Sequence, residues 1–139
     1  MGAGALRNTG KGVEAMNHEA LIRLIAASKE DAELLDMIWS AVQAFEQYHT
    51  AVLEDQAFPL IYSGAMVGNT YRTRRSELDK HRTTLHNTVI THVRILNRMA
   101  EQAGLPPVYD GIISEDRPYR RQVANAVFGW ISSIIDGRS

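Results

Sequence analysis

The stretch SELDKHRTTLHNTVITHVRILNRMA, residues 76–100, decides the fold because its apolar residues recur every three or four positions. At about 100° per residue, six of them fall within an arc of about 80° on a helix: Leu78, Leu85, Val89, Val93, Leu96 and Ala100. This pattern predicts a long amphipathic helix over about residues 70–102, which Gly104 and the Pro106-Pro107 pair end.

Charged residues interrupt this apolar stripe. Arg82 lies in its middle, and Arg75, Asp79 and His86 lie along its edge. A second amphipathic helix is predicted from Ser28 or Asp31 to about residue 55, and it carries two more polar residues on or beside its core side. If the two helices form an antiparallel hairpin turning near residue 61, all six polar residues belong to one cluster: Glu46, His49, Arg75, Asp79, Arg82 and His86.

Three interpretations of this cluster remain open. The first is a closed network that sets the register of the helices. The second is a pocket that binds a polar or anionic ligand, in which the Arg82 guanidinium donates a pair of charge-assisted hydrogen bonds and His86 gains or loses a proton. The third is a metal site, since Glu46 and His49 have Glu-x-x-His spacing. Di-iron bundles need two such pairs and two further carboxylates, so we expect no metal and no cofactor.

Two further helices complete the predicted fold. One covers about residues 18–27 behind the capping residue Asn17, and the other runs from Ser114 or Asp116 to about residue 136, with Pro118 in its first turn. Pro59 is expected to break or kink the chain between the second and third helices. We therefore predict an all-α, four-helix bundle-like domain over residues 17–137. Residues 1–16 are predicted to be a flexible tail, and either Met1 or Met16 is the native start.

Composition restricts the function classes. The chain has 139 residues, 45% of them hydrophobic, and no cysteine, which excludes disulfides and thiol catalysis and fits a cytoplasmic setting. It has no apolar run of about 20 residues that would span a bilayer. Residues 71–75, YRTRR, form a basic patch, but the arginines are spread around the helix, so we do not expect nucleic-acid binding. No catalytic residue is predicted, because nothing supplies an oxyanion hole.

The last helix carries more apolar surface than one core contact requires. Its apolar residues span about 200° of arc, whereas a helix laid on one core needs little more than about 100°. Either the first helix or a second copy of the protein covers the excess surface, and we predict a homodimer. The predicted interface residues are Phe128, Ile131 and Ile135.

The run RRSELDKHRTTLHNTVITHVRILNRMAEQAGLPPVYDG, followed by EDRPYRRQVANAVFGW, resembles a family of small bacterial proteins known as domain of unknown function 3232. The residues that carry the resemblance are Glu77-Leu78-Asp79, Arg82, His86, Leu96-Asn97-Arg98, Gly104, Pro107 and Asp116-Arg117. The resemblance covers about residues 18–136 and implies a helical fold, bacterial origin and no assigned activity or catalytic residues.

Together these features favour an interaction or oligomerisation module without enzyme activity. The alternative is a helical bundle that binds a small polar or anionic ligand at the Arg/Asp/His cluster. The sequence identifies neither a ligand nor a partner.

Overall fold

Four α-helices account for most of the described chain. The computed structural model describes residues 15–62 and 68–138. The helices are α1, His18–Ala27; α2, Ala32–Tyr62; α3, Gly68–Gln102; and α4, Arg117–Arg138. Within the described residues no strand forms, and the one isolated bridge joins Met16 to Tyr109. The all-α prediction is confirmed, whereas residues 1–14 of the predicted tail lie outside the described ranges.

The first two helices begin at side-chain caps. The Asn17 side chain accepts a hydrogen bond from the Ala20 amide at 2.9 Å, as its position before α1 predicts. At the start of α2, Asp31 Oδ1 accepts from the amides of Glu33 at 3.1 Å and Leu34 at 3.2 Å. Ser28 caps the end of α1. Asp31 is therefore the N-cap of α2, and the helix begins after it.

Helix α3 ends in a Schellman motif at Gly104. The Leu105 amide bonds the Ala100 carbonyl at 2.8 Å, and the Gly104 amide bonds the Glu101 carbonyl at 3.1 Å. Gly104 has φ +73, a left-handed conformation that glycine adopts without a Cβ clash. The stop that the sequence predicts at this residue is confirmed.

Hydrogen bonds fix the segment between α3 and α4 to the residues before α1 and to α3. The Asn17 amide donates to the Val108 carbonyl at 2.7 Å, and the Asp110 amide donates to the Ala15 carbonyl at 2.8 Å. The Asn97 side chain of α3 bonds both the amide and the carbonyl of Tyr109 at 2.9 Å. Two residues of the predicted tail, 15 and 16, thus pair with this segment, and Met16 is buried.

The hydrophobic core has the composition that the helix pattern predicts. Of the six stripe residues of α3, five are buried and Leu85 is partly buried against the core. Helix α4 contributes Val123, Ala126, Val127, Trp130 and Ile131 to the same core. The His18 ring of α1 lies 5.7 Å from the Trp130 ring, so α1 covers part of α4. No helix in residues 15–62 or 68–138 is both long and apolar enough to cross a membrane.

The expected break at Pro59 is wrong, because α2 continues through this residue to Tyr62. Proline has no amide hydrogen to offer the carbonyl four residues earlier, which here belongs to Asp55. Arg75 Nη1 of α3 donates to that carbonyl instead, at 3.3 Å. A tertiary hydrogen bond therefore replaces the helical one that proline removes.

Candidate functional site

Asp55 of α2 is the buried centre of the polar cluster. One of its carboxylate oxygens lies 2.7 Å from Arg82 Nη1 and the other lies 2.8 Å from Arg75 Nη1, and its side chain is only 4% exposed. Arg75 Nη2 also lies 3.4 Å from Asp79 Oδ1. Sequence analysis overlooked Asp55, although it stands seven residues after the buried Tyr48 and three after the buried Val52, which is core spacing on a helix.

A position in the middle of the apolar stripe predicts that Arg82 is mostly buried and paired with an acid; it pairs with Asp55 of α2, but it is not mostly buried. Its side chain is 41% exposed, because its stem packs while its head reaches solvent. Burial by itself would lower the pKa of Arg82, but interactions with the Asp55 carboxylate and with Tyr48 raise it above its ordinary value. Arg82 is therefore a permanent cation held in a fixed orientation.

His86 joins α3 to the first turn of α4. Its Nε2 lies 2.7 Å from the main-chain carbonyl of Arg120. Since a carbonyl only accepts hydrogen bonds, Nε2 carries the hydrogen, and Nδ1 is left as the second polar atom of the ring. The ring centroid of His86 lies 5.8 Å from that of Tyr48.

The structure brings together four of the six residues of the predicted cluster and places the other two elsewhere. His49 Nε2 lies 3.0 Å from Ser132 Oγ of α4, and the His49 ring stacks on Phe128 with centroids 4.7 Å apart. Glu46 is exposed. The register of α2 against α3 differs from the one that a turn near residue 61 predicts. Tyr48 lies beside His86 and Phe58 faces Tyr71 at 4.9 Å, so residues 46 and 49 are not level with Arg75.

A cavity of about 660 Å³ opens between α3 and the first turns of α4. Most of its lining is polar or cationic: Tyr48, Asp79, Arg82, Thr83, His86, Arg117, Arg120, Arg121, Ala124 and Asn125. We call this cavity the arginine cleft. Arg75 is connected to it through Asp79.

Three arginines in the first turns of α4, Arg117, Arg120 and Arg121, line the cleft but were not among the predicted site residues. Arg117 and Arg121 are exposed, Arg120 is half-buried, and its Nε is buried without an acceptor. Within the described residues, none of the three has a carboxylate at ion-pair distance, in contrast to Arg75 and Arg82. Their grouping in the sequence, RPYRR at a helix start, was a usable signal.

The position of these arginines is unfavourable for the helix itself. The N-terminus of a helix carries a partial positive charge, so acidic residues stabilise the first turn and basic ones destabilise it. The first turn of α4 contains no acidic residue and begins with Arg117. Helix stability therefore does not explain this concentration of positive charge.

The residues predicted for an interface are only partly available. Ile131 is buried within the monomer, and Phe128 is half-buried against His49. Ile135 is 46% exposed and lines a groove of about 370 Å³ between α2 and α4. As for metals, the described ranges contain no group of three or more His, Asp or Glu side chains that could hold an ion.

Comparison with known proteins places the chain in a family but assigns it no activity. No curated protein and no solved structure matches it. The family model described as Protein of unknown function (DUF3232) matches residues 8–137, so this chain is a member of that family.

Proposed function

We propose that this protein binds a small anionic ligand in the arginine cleft. The observation that carries the proposal is the convergence of Arg82, Arg117, Arg120 and Arg121 on one cavity that Asp79 alone lines with a carboxylate. This is the ligand-binding alternative predicted from the sequence for the Arg/Asp/His cluster, with the arginines at the start of α4 in place of Glu46 and His49.

Charge balance supports an anion as the ligand. Arg75 and Arg82 share Asp55, so their charges are compensated by the protein. No such compensation is found within the described residues for the arginines of α4. A guanidinium presents its donors in a planar fork that fits phosphate or carboxylate oxygens, and such charge-assisted bonds are about twice as strong as neutral ones.

The buried Nε of Arg120 supports the same proposal. A buried donor without an acceptor destabilises a protein by about 1 to 3 kcal/mol. A shift of the Arg120 side chain that lets a bound anion accept from Nε would remove this cost, and the anion also offsets the unfavourable interaction between the arginines and the helix dipole. The ligand would therefore stabilise the folded protein as well as bind to it.

Titration calorimetry with inorganic phosphate at low ionic strength tests the proposal. We expect saturable binding to the wild type, and at least about tenfold weaker binding to Arg120→Gln, which loses a charge-assisted bond worth more than about 1.4 kcal/mol. Arg94→Gln is the matched control, because Arg94 is an exposed arginine of α3 outside the cleft lining. Equal affinities of Arg120→Gln and Arg94→Gln, or no binding to the wild type, would contradict the proposal.

A second candidate function, self-association, depends on a different surface. Trp39 is 54% exposed on α2 beside Val42 and Glu46, and both of these also line the groove that contains Ile134 and Ile135. Exposed apolar surface of this kind often marks an interface. The homodimer remains a proposal, in which Ile135 is kept from the predicted interface and Trp39 takes the place of Phe128 and Ile131.

A further inference from the structure

The arginine cleft has a second polar wall that an anion alone does not use. Asp79 and Thr83 stand one turn apart on α3, and Asn125 stands one turn beyond Arg121 on α4. All three are exposed and line the cavity. Hydroxyl, amide and carboxylate groups arranged in this way are suited to hydrogen-bonding a polar, uncharged part of a ligand.

Asp79 restricts what that part can be. Its side chain is 58% exposed, and its ion pair with Arg75 is long, 3.4 Å, because Arg75 lies closer to Asp55, at 2.8 Å. A carboxylate only accepts hydrogen bonds and repels a second anionic group. The ligand must therefore present donors such as hydroxyl groups next to its anionic group.

Within the described lining, no Phe, Tyr or Trp ring is exposed for a nucleobase to stack on. Bases bind to proteins on exposed aromatic or guanidinium planes. Tyr48, the only phenol among the described lining residues, is 2% exposed and its ring lies against His86. The guanidinium groups of the cleft are the groups that bind the anion in the proposed function. The cleft volume of about 660 Å³ is within the range of small-molecule sites, and its polar lining differs from the mostly apolar lining of typical ones.

We infer that the ligand is a sugar phosphate, whose phosphate binds Arg117, Arg120 and Arg121 and whose hydroxyl groups donate to Asp79. This inference rests on the proposed function and names the ligand class of the same site. Asp79 is then the residue that distinguishes a hydroxylated phosphate ester from a simple one.

Calorimetry with a matched pair of esters tests the inference. Ribose 5-phosphate and ethyl phosphate carry the same phosphate monoester, but ethyl phosphate has no hydroxyl groups. We expect ribose 5-phosphate to bind about tenfold more tightly to the wild type, because its hydroxyl groups donate hydrogen bonds to the charged Asp79 carboxylate. The Asp79→Asn variant should reduce this ratio to about two or less. The variant also removes the repulsion between the Asp79 carboxylate and the phosphate, but this change affects both esters alike and cancels in the ratio.

The control variant is Glu77→Gln, which removes an exposed carboxylate of α3 that pairs with Arg74 outside the cleft. It should retain the wild-type ratio. AMP adds a base to ribose 5-phosphate and should bind no more than about threefold more tightly, because the described lining exposes no Phe, Tyr or Trp ring for the base and the guanidinium groups bind the phosphate.

The outcomes separate the two claims. If neither ester binds to any form of the protein, the proposed function is wrong. If both bind but the wild-type ratio is near one, or if Asp79→Asn keeps the wild-type ratio, anion binding stands and the sugar phosphate is excluded. If AMP binds tenfold or more tightly than ribose 5-phosphate, the sugar phosphate is excluded as well and the ligand is a nucleotide.

Discussion

Arg75 binds Asp55 at two places: its Nη1 lies 2.8 Å from the carboxylate and 3.3 Å from the main-chain carbonyl of the same residue. That carbonyl is the one that Pro59, four residues later, leaves without a helical partner. One guanidinium thus compensates both a buried charge and a broken helical hydrogen bond. Asp55 orients Arg82 as well, so this contact connects the backbone of α2 to the wall of the arginine cleft.

Replacing Pro59 by alanine should stabilise the protein. The variant regains the helical bond to the Asp55 carbonyl and loses the clash of the proline ring, so we expect the free energy of unfolding in urea to rise by about 1 to 2 kcal/mol. Pro118→Ala is the control, because Pro118 stands in the first turn of α4, where proline is favourable. A decrease in stability for Pro59→Ala would show that the proline ring itself contributes to packing.

The two arginines that share Asp55 should show strong coupling. Either Arg75→Ala or Arg82→Ala leaves one cation on the carboxylate, and both side chains are partly exposed, so each change should cost only about 1 to 2 kcal/mol. The double variant leaves Asp55 buried without a cation and should cost about 1 kcal/mol more than the two single losses combined. Urea unfolding of the four proteins measures this cycle, and simple additivity would show that Asp55 is solvated in the native state.

Local signals explain why the helices could be predicted. Asn17 and Gly104 end or begin a helix through contacts with residues at most four or five positions away, so their effect can be predicted from the neighbouring sequence. Pro59 misled the prediction because the group that compensates it, Arg75, is 16 positions away and belongs to another helix. The sequence contains both residues but not the distance between them.

The candidate site could be predicted only in part, for the same reason. Arg82 and His86 are recognisable as polar residues in or beside an apolar stripe, which is a property of α3 alone. That the arginines of α4 stand opposite them depends on how residues 103–116 direct the chain, and this path is held by non-local bonds from Asn97 and Asn17. Helical periodicity carries no information about such a connection.

Tyr109 should make the protein sensitive to alkaline pH. Burial raises the pKa of its hydroxyl above the ordinary value of 10.0, so the unfolded chain releases this proton at a lower pH than the native protein does. The contribution to stability is complete below about pH 10 and is lost as the pH rises further. Tyr109→Phe should therefore show a shallower decline in melting temperature between about pH 9 and 11 than the wild type. Parallel declines would show that the hydroxyl is hydrated in the folded state.

Solution mass should decide whether the surface around Trp39 is an interface. Burying an exposed tryptophan and the neighbouring Ile135 in a two-fold contact removes a large apolar area from water, and aromatic residues of this kind supply much of the binding energy in interfaces. We expect light scattering at micromolar concentration to give twice the 15.5 kDa chain mass for the wild type and the chain mass for Trp39→Glu.

Ile22→Glu is the control, because Ile22 is an equally exposed apolar residue on α1, outside both grooves. It should remain dimeric, since its charge lies away from the contact. Specific interfaces of standard size associate at concentrations far below about 100 μM. If the wild type keeps the chain mass up to that concentration, Trp39 is an isolated surface residue and self-association is no longer a proposed function.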